Sequence, residues 1–197
     1  AEADSLWGIL GQLGQETESS FSLPIIIRVP VPPTATIQWT VLESLNVQVW
    51  CPRSKSQLYQ SIEAGLTNAQ PTIILEPLLA LQQEDAEQLL PAEKLTDGED
   101  VSLFVWGDSA HTAIQAVKDL EDDAIFVEVI ALNQLMPISS SLIAESVAKT
   151  GRPVFVNPPK MLLQHIIDGA FWSLETQPLT AANSYQNIKQ NVLESLR

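Results

Sequence analysis

Apolar positions along this chain alternate between two periods. Short runs rich in branched side chains recur at residues 23–29 (LPIIIRV), 46–50 (NVQVW), 72–75 (TIIL), 101–106 (VSLFVW), 124–132 (AIFVEVIAL) and 154–156 (VFV). Runs that are apolar throughout suit strands buried on both faces, as in parallel sheets. Between them the spacing becomes helical. Leu6, Trp7, Ile9, Leu10 and Leu13 mark a helix over 5–14, and Leu58, Ile62 and Leu66 share a face over 54–66. Ala110, Ala113, Ile114 and Val117 form the next stripe. Helices follow over 139–150, 160–172 and 184–196, the last with Tyr185, Ile188, Val192 and Leu196 inward. Strand–helix alternation predicts an α/β fold with a mostly parallel sheet.

Local punctuation agrees. Pro30, Pro32 and Pro33 end the first run, because proline cannot donate to a ladder. Gly107-Asp108-Ser109 turns the chain and offers a helix cap, as do the serines at 139–141. Gly151 and Pro153 end the helix before them. Between about 78 and 100 the chain turns polar and acidic, which predicts a linker, partly helical at 86–90, between two domains.

Charge narrows the functions. Lys and Arg number 10 against 24 Asp and Glu, a net charge of −14, which repels nucleic acid and anionic membrane surfaces. There is no apolar run of about 18 residues and no signal-peptide pattern at Ala1-Glu2-Ala3-Asp4. The expectation is a soluble, non-secreted protein of the cytoplasm or an organelle matrix. A single cysteine, Cys51, rules out an internal disulfide and a cysteine-rich metal site.

Several segments, in order, resemble one family. Residues 98–107 (GEDVSLFVWG), the helix opening Ser109-Ala110-His111-Thr112-Ala113, residues 127–139 (VEVIALNQLMPIS) and 145–156 (ESVAKTGRPVFV) resemble the C-terminal domain of the transketolase superfamily. The resemblance is to the β chains of pyruvate and branched-chain 2-oxo-acid dehydrogenases. Residues 23–31, 42–45, 46–54 and 68–76 (NAQPTIILE) resemble the second half of that family's pyrimidine-binding domain. The resemblance implies a partial pyrimidine-binding-type domain over 1–80, a linker over 81–97 and a transketolase C-terminal-like domain over 98–197. It also implies a protein partner: in that family an α chain holds thiamine diphosphate through magnesium. The β chain covers the aminopyrimidine and supplies an activating carboxylate, and its C-terminal domain builds interfaces.

The departures shape the functional expectation. The family's activating glutamate would lie upstream of Ala1, so no residue here inherits it. The family's glycine-rich loop and active-site histidine are replaced by Val29-Pro30-Val31-Pro32-Pro33-Thr34, with no histidine near Ile37 and Gln38. Asn157-Pro158-Pro159 stands where the family turns on glycine, and its last strand is missing or very short between Trp172 and Thr180. We therefore expect no catalytic, cofactor-binding or metal-binding residue in this chain alone. Thiamine diphosphate and magnesium are expected only in assembly with an α-type chain.

The candidates for a ligand site or interface are Glu76, Asp108, His111, Trp39 and Trp172. Glu76 ends a strand, where α/β sheets often bind ligands. Asp108 and His111 flank a helix N-terminus, which can bind anions, although a capping or surface histidine is the simpler account. Trp39 and Trp172 stand in the departed segments and could anchor a partner. His165, among Leu163, Ile166 and Ile167, reads as a packed histidine, and Cys51 as a small packed residue. The leading expectation is a non-catalytic or accessory β-chain-like protein acting through subunit assembly, with another protein or a second copy as partner and no nucleic acid or membrane. The alternatives are a portion of an active β chain, catalysing oxidative decarboxylation, and a small-ligand binding module.

Overall fold

The computed structural model describes residues 25–32, 37, 39–43, 47–68, 70–79 and 88–197. The helix expected over 5–14 lies outside them, as does the start of the one expected at 86–90. Two compact units emerge. One comprises the chain up to Leu89 together with Gln134–Pro137, the other Leu90–Asn133 and Ile138–Arg197.

The first unit holds β1 (Ile26–Val31), α1 (Trp39–Glu43), β2 (Gln48–Trp50), α2 (Lys55–Thr67), β3 (Thr72–Pro77) and β7 (Gln134–Met136). Its sheet runs β1-β3-β2-β7. The first three strands are mutually parallel, with Ile26 opposite Thr72 and Gln48 also opposite Thr72. β7, which follows directly on a strand of the second unit, joins antiparallel to β2. Ile73, Ile74 and Leu75 of the central strand are fully buried, as a strand covered on both faces must be.

Helix α2 begins as its sequence predicts, with Ser54 Oγ accepting from Gln57 N at 3.2 Å. Its most buried row is offset from the expected one, with Leu58 and Ile62 half-buried beside it. Gln57, Ser61 and Gly65 are buried, while Leu66 is 65% exposed. The reason is close approach to the sheet. A Cβ built on Gly65 would lie 3.1 Å from the Ile26 side chain and 3.2 Å from that of Thr72. Only small residues fit there. The buried polar atoms are satisfied: Ser61 Oγ donates to Leu58 O at 2.7 Å, and Gln57 accepts from Arg53 N and donates to Gln88 O.

The second unit holds β4 (Ala92–Lys94), β5 (Val101–Val105), α3 (Ser109–Glu121), β6 (Val127–Leu132), α4 (Ser140–Thr150), β8 (Pro153–Val156), α5 (Lys160–Ala170), a 3₁₀ turn (Phe171–Ser173), β9 (Leu179–Ala181) and α6 (Tyr185–Ser195). Its sheet runs β4-β6-β5-β8-β9, parallel apart from β4. The mostly parallel α/β reading holds in both sheets. β9 is the strand expected to be missing or very short; it is three residues long and pairs with β8.

Side-chain alternation sorts the second sheet's two faces. Val101, Leu103, Val105, Val127, Val129, Val154 and Val156 form one core with the stripes of α3 and α6. Phe104 and Phe155 stack on the other face at 4.9 Å between ring centroids. They are directly paired across β5 and β8, and α4 packs on that side of β5. The caps agree in part. Gly151 takes the left-handed conformation at φ 67°, as a helix C-terminus favours. Ser139 and Asp108 occupy N-cap positions but make no capping side-chain bond.

The acidic stretch before β5 is more structured than its composition predicts. β4 lies within the stretch expected to be a linker, and the residues after it are laced to β6. Leu95 N donates to Val129 O at 2.7 Å and Asp100 N to Phe126 O at 3.0 Å. Thr96 Oγ1 donates to Val127 O and accepts from Val129 N. Gly98 permits this approach, since a Cβ there would sit 2.3 Å from the Val127 carbonyl carbon and 2.4 Å from Glu128 N. Gly98→Ala should therefore lower stability by about 1–3 kcal/mol. Gly169→Ala, in an exposed helical position with nothing within 4 Å of the added carbon, should raise it by roughly 0.5–1 kcal/mol. Urea midpoints moving in opposite directions would check both; a Gly98→Ala protein as stable as the parent would refute the first.

Candidate functional site

At the carboxyl ends of the first sheet, Glu76 stands on β3 and Arg28 on the adjacent β1. Parallel register puts Glu76 opposite Pro30, two residues beyond Arg28 and therefore on the same face. The guanidinium grips the carboxylate with two nitrogens: Arg28 Nε donates to Glu76 Oε1, and Nη2 to Oε2 at 3.1 Å. The Glu76 side chain is 12% exposed and that of Arg28 54%. The Glu76 hydrogen bond, and then its charge, raise the Arg28 pKa. A bidentate pair of this kind fixes both groups and takes one acceptor position on each carboxylate oxygen.

The β5–α3 turn carries Asp108 and His111. Asp108 is buried and His111 exposed. His111 Nε2 lies 3.0 Å from Gln115 Nε2, one turn along the same helix. The turn is closed by Ser109, whose Oγ donates to Trp106 O and accepts from Trp106 N, with Gly107 at φ 54°. Trp106 Nε1 reaches across to Asn157 O at 3.0 Å. Asp108 and His111 thus sit at one strand end of the second unit, while Glu76 and Trp39 belong to the first. Trp39, the opening residue of α1, is partly buried. Trp172 is 95% exposed and meets Phe171 edge-on at 5.4 Å. Cys51 is buried, as expected of a packed residue. The His165 side chain lies outside the described residues.

Sequence reasoning missed the most developed polar cluster. Glu128 lies on β6 with its side chain 2% exposed. Lys149 Nζ, from the last turn of α4, donates to it at 2.6 Å, and Lys94 Nζ, from β4, approaches to 3.1 Å. Ser146 also hydrogen-bonds the carboxylate. Behind it, Ser146 Oγ lies 2.7 Å from Ser102 Oγ, which lies 2.6 Å from Thr150 Oγ1. Burial alone would push the Glu128 carboxyl up. The hydrogen bonds from Lys149, Ser146 and Lys94, with the Lys149 charge, outweigh burial and hold it below the ordinary carboxylate value. The signal was present: a lone glutamate inside AIFVEVIAL must find partners if the strand is buried.

The donor sets bear on cofactors. Among the described residues no group of three or more His, Cys, Asp or Glu side chains could hold a metal ion. Glu76 is engaged by Arg28, and Glu128 by two lysines and a serine. These residues do not fit a magnesium–diphosphate centre. Among the described residues, no helix is long and apolar enough to cross a membrane.

Residues 91–158, within the second unit, match the family model described as "Transketolase, C-terminal domain". The chain as a whole is similar to the β subunits of 2-oxo-acid dehydrogenases. It is 24% identical over 202 residues to the pyruvate dehydrogenase E1 component subunit beta of Bacillus subtilis, covering 91% of this chain and 62% of that protein. It is 26% identical over 178 residues to the mitochondrial 2-oxoisovalerate dehydrogenase subunit beta 2 of Arabidopsis thaliana, covering 77% and 50%. The chain thus spans about half to three-fifths of these relatives. A solved structure described as a split gene transketolase, inactive beta4 tetramer, superposes with a TM-score of 0.73 at 18% identity, covering 95% of this chain and 74% of that one. The fold is shared, and the resemblance read from the sequence holds.

The Glu128 cluster yields a signed prediction. Its folded pKa lies below its unfolded one, so the stability it contributes is present above the unfolded value, about 4.5, and is lost as pH falls through the folded value. Glu128→Gln should cost about 1–3 kcal/mol near neutral pH. The gap between parent and variant should close in acid. Urea midpoints of both proteins across that range check this; a gap independent of pH would show that Glu128 titrates alike in both states.

Proposed function

We propose that this chain is a non-catalytic, accessory 2-oxo-acid dehydrogenase β-chain-like protein that acts through subunit assembly. The observation that carries the reading is Trp172, 95% exposed beside the half-exposed Phe171 at the end of α5. Nearly the whole indole stands in water, and Met161, in the first turn of α5, is 42% exposed. Aromatic and Met side chains are enriched where proteins meet, and rings of this size anchor interfaces. The chemistry-bearing groups support the non-catalytic part. Glu76 is paired, Glu128 is enclosed, and the stretch Val29-Pro30-Val31-Pro32-Pro33-Thr34 has no glycine for a close backbone approach to a cofactor.

The similarity to dehydrogenase β subunits points to the partner, an α-type chain or a second β-like chain. The family resemblance implies that thiamine diphosphate would be held chiefly by the α-type chain, with this chain contributing contact surface. The solved relative described as an inactive beta4 tetramer supports association among β-like chains. A second reading, a portion of an active β chain, draws on the B. subtilis match, which covers 91% of this chain.

Affinity capture from the source cell, followed by native mass measurement and assay of bound thiamine diphosphate and 2-oxo-acid oxidation, tests the proposal. Capture of a protein partner without gained turnover is expected. Cofactor-dependent turnover that requires this chain would overturn the non-catalytic reading. Trp172→Ser should leave stability within about 0.5 kcal/mol of the parent, because the ring buries little, yet lower partner capture at least several-fold. Unchanged capture would remove Trp172 from the interface.

A further inference from the structure

We propose that helix α2 is a self-pairing surface, through which two copies of this chain join about a twofold axis. The helix divides its large apolar side chains, with Leu58 and Ile62 half-buried and others in water. Its small and polar residues Gln57, Ser61 and Gly65 face the sheet, while Tyr59 is 70% and Leu66 65% exposed. Lys55 and Glu63 are also exposed. Lys55, Tyr59 and Glu63 are spaced by four, so they stand on successive turns of one outward row, with Leu66 alongside.

Charge selects the occupant. The chain carries −14, so two copies repel over most of their surface. Helix α2 holds one lysine and one glutamate and is neutral. Those two charges lie four residues either side of Tyr59, roughly 6 Å each way along the axis. Two such helices set antiparallel, with Tyr59 at the axis, place Lys55 of each copy beside Glu63 of the other. A parallel arrangement would set like charges together. Twofold symmetry makes the contact isologous, so both ion pairs form at once. Burial of Tyr59 and Leu66 supplies attraction, and the charges set register, as charged pairs flanking an apolar seam do.

The inference deepens the assembly reading by naming a surface and a second copy as partner, and its test does not involve an α-type chain. Sedimentation and native mass of the full chain over a range of concentrations would compare the parent with Lys55→Glu, Glu63→Lys, the double exchange, and Tyr59→Asp. All four variants alter exposed positions, and circular dichroism verifies that each remains folded. A dimeric parent is expected. Each single reversal changes both symmetric pairs and should weaken the dimer about tenfold or more. The double exchange should restore it, and Tyr59→Asp should give monomers. A monomeric parent overturns the proposal. So does a dimer indifferent to these changes, or one lost with Tyr59→Asp but not rescued by the double exchange. In the indifferent case assembly through another surface, such as Trp172, still stands.

Discussion

Glu128 projects from the middle of a parallel sheet with its side chain almost wholly removed from water, and a charge so placed must be neutralised where it stands. Two lysines and a serine do this, and they come from two different elements attached to the strand. Lys94 belongs to the antiparallel edge strand β4, Lys149 and Ser146 to helix α4. Ser102, directly opposite Glu128 in the β5–β6 register, passes the hydrogen bonding on to Thr150. One carboxylate therefore ties an edge strand and a covering helix to the central strand pair. Removing one partner would leave a buried charge underpaid, which costs more than the pair contributes when intact. The apolar side of the sheet has no such dependency. There Val, Leu and Ala side chains from β5, β6 and β8 meet the stripes of α3 and α6, and the packing tolerates conservative exchange.

The first unit uses close approach instead. Gly65 and Ser61 let α2 lie near β1 and β3, and this choice turns Tyr59 and Leu66 outward. Leu58 and Ile62 are half-buried beside that row, so the helix keeps part of its apolar surface toward the sheet and leaves part in water. Trp172 and Phe171 show the same disposition in the second unit. In both places large apolar side chains remain exposed on a strongly acidic chain.

The groups able to do chemistry are used differently. At the carboxyl ends of the first sheet, where an α/β fold offers its ligand position, Arg28 grips Glu76 with two nitrogens. Ser109 closes the β5–α3 turn on the backbone of Trp106. These polar residues fix the local geometry of a strand end in each unit.

The sequence by itself determined the alternation of strands and helices, the parallel character of the sheets and the family resemblance. These are read from local period and from residues such as Gly151, whose conformational demands are met within a few neighbours. The stripes of α3 and α6 were legible because there the apolar period coincides with the buried face. Tertiary structure decided the rest. Which face of α2 is buried depended on the distance between helix and sheet, which no helical period encodes. β4, β7 and β9 are three residues each, too short to show a pattern, and owe their existence to the strands beside them. Lys94, Ser102, Glu128, Ser146 and Lys149 are scattered over more than fifty positions. Their meeting depended on pairing β4, β5 and β6 and laying α4 across them, and a single sequence carries no mark of that until the chain has folded.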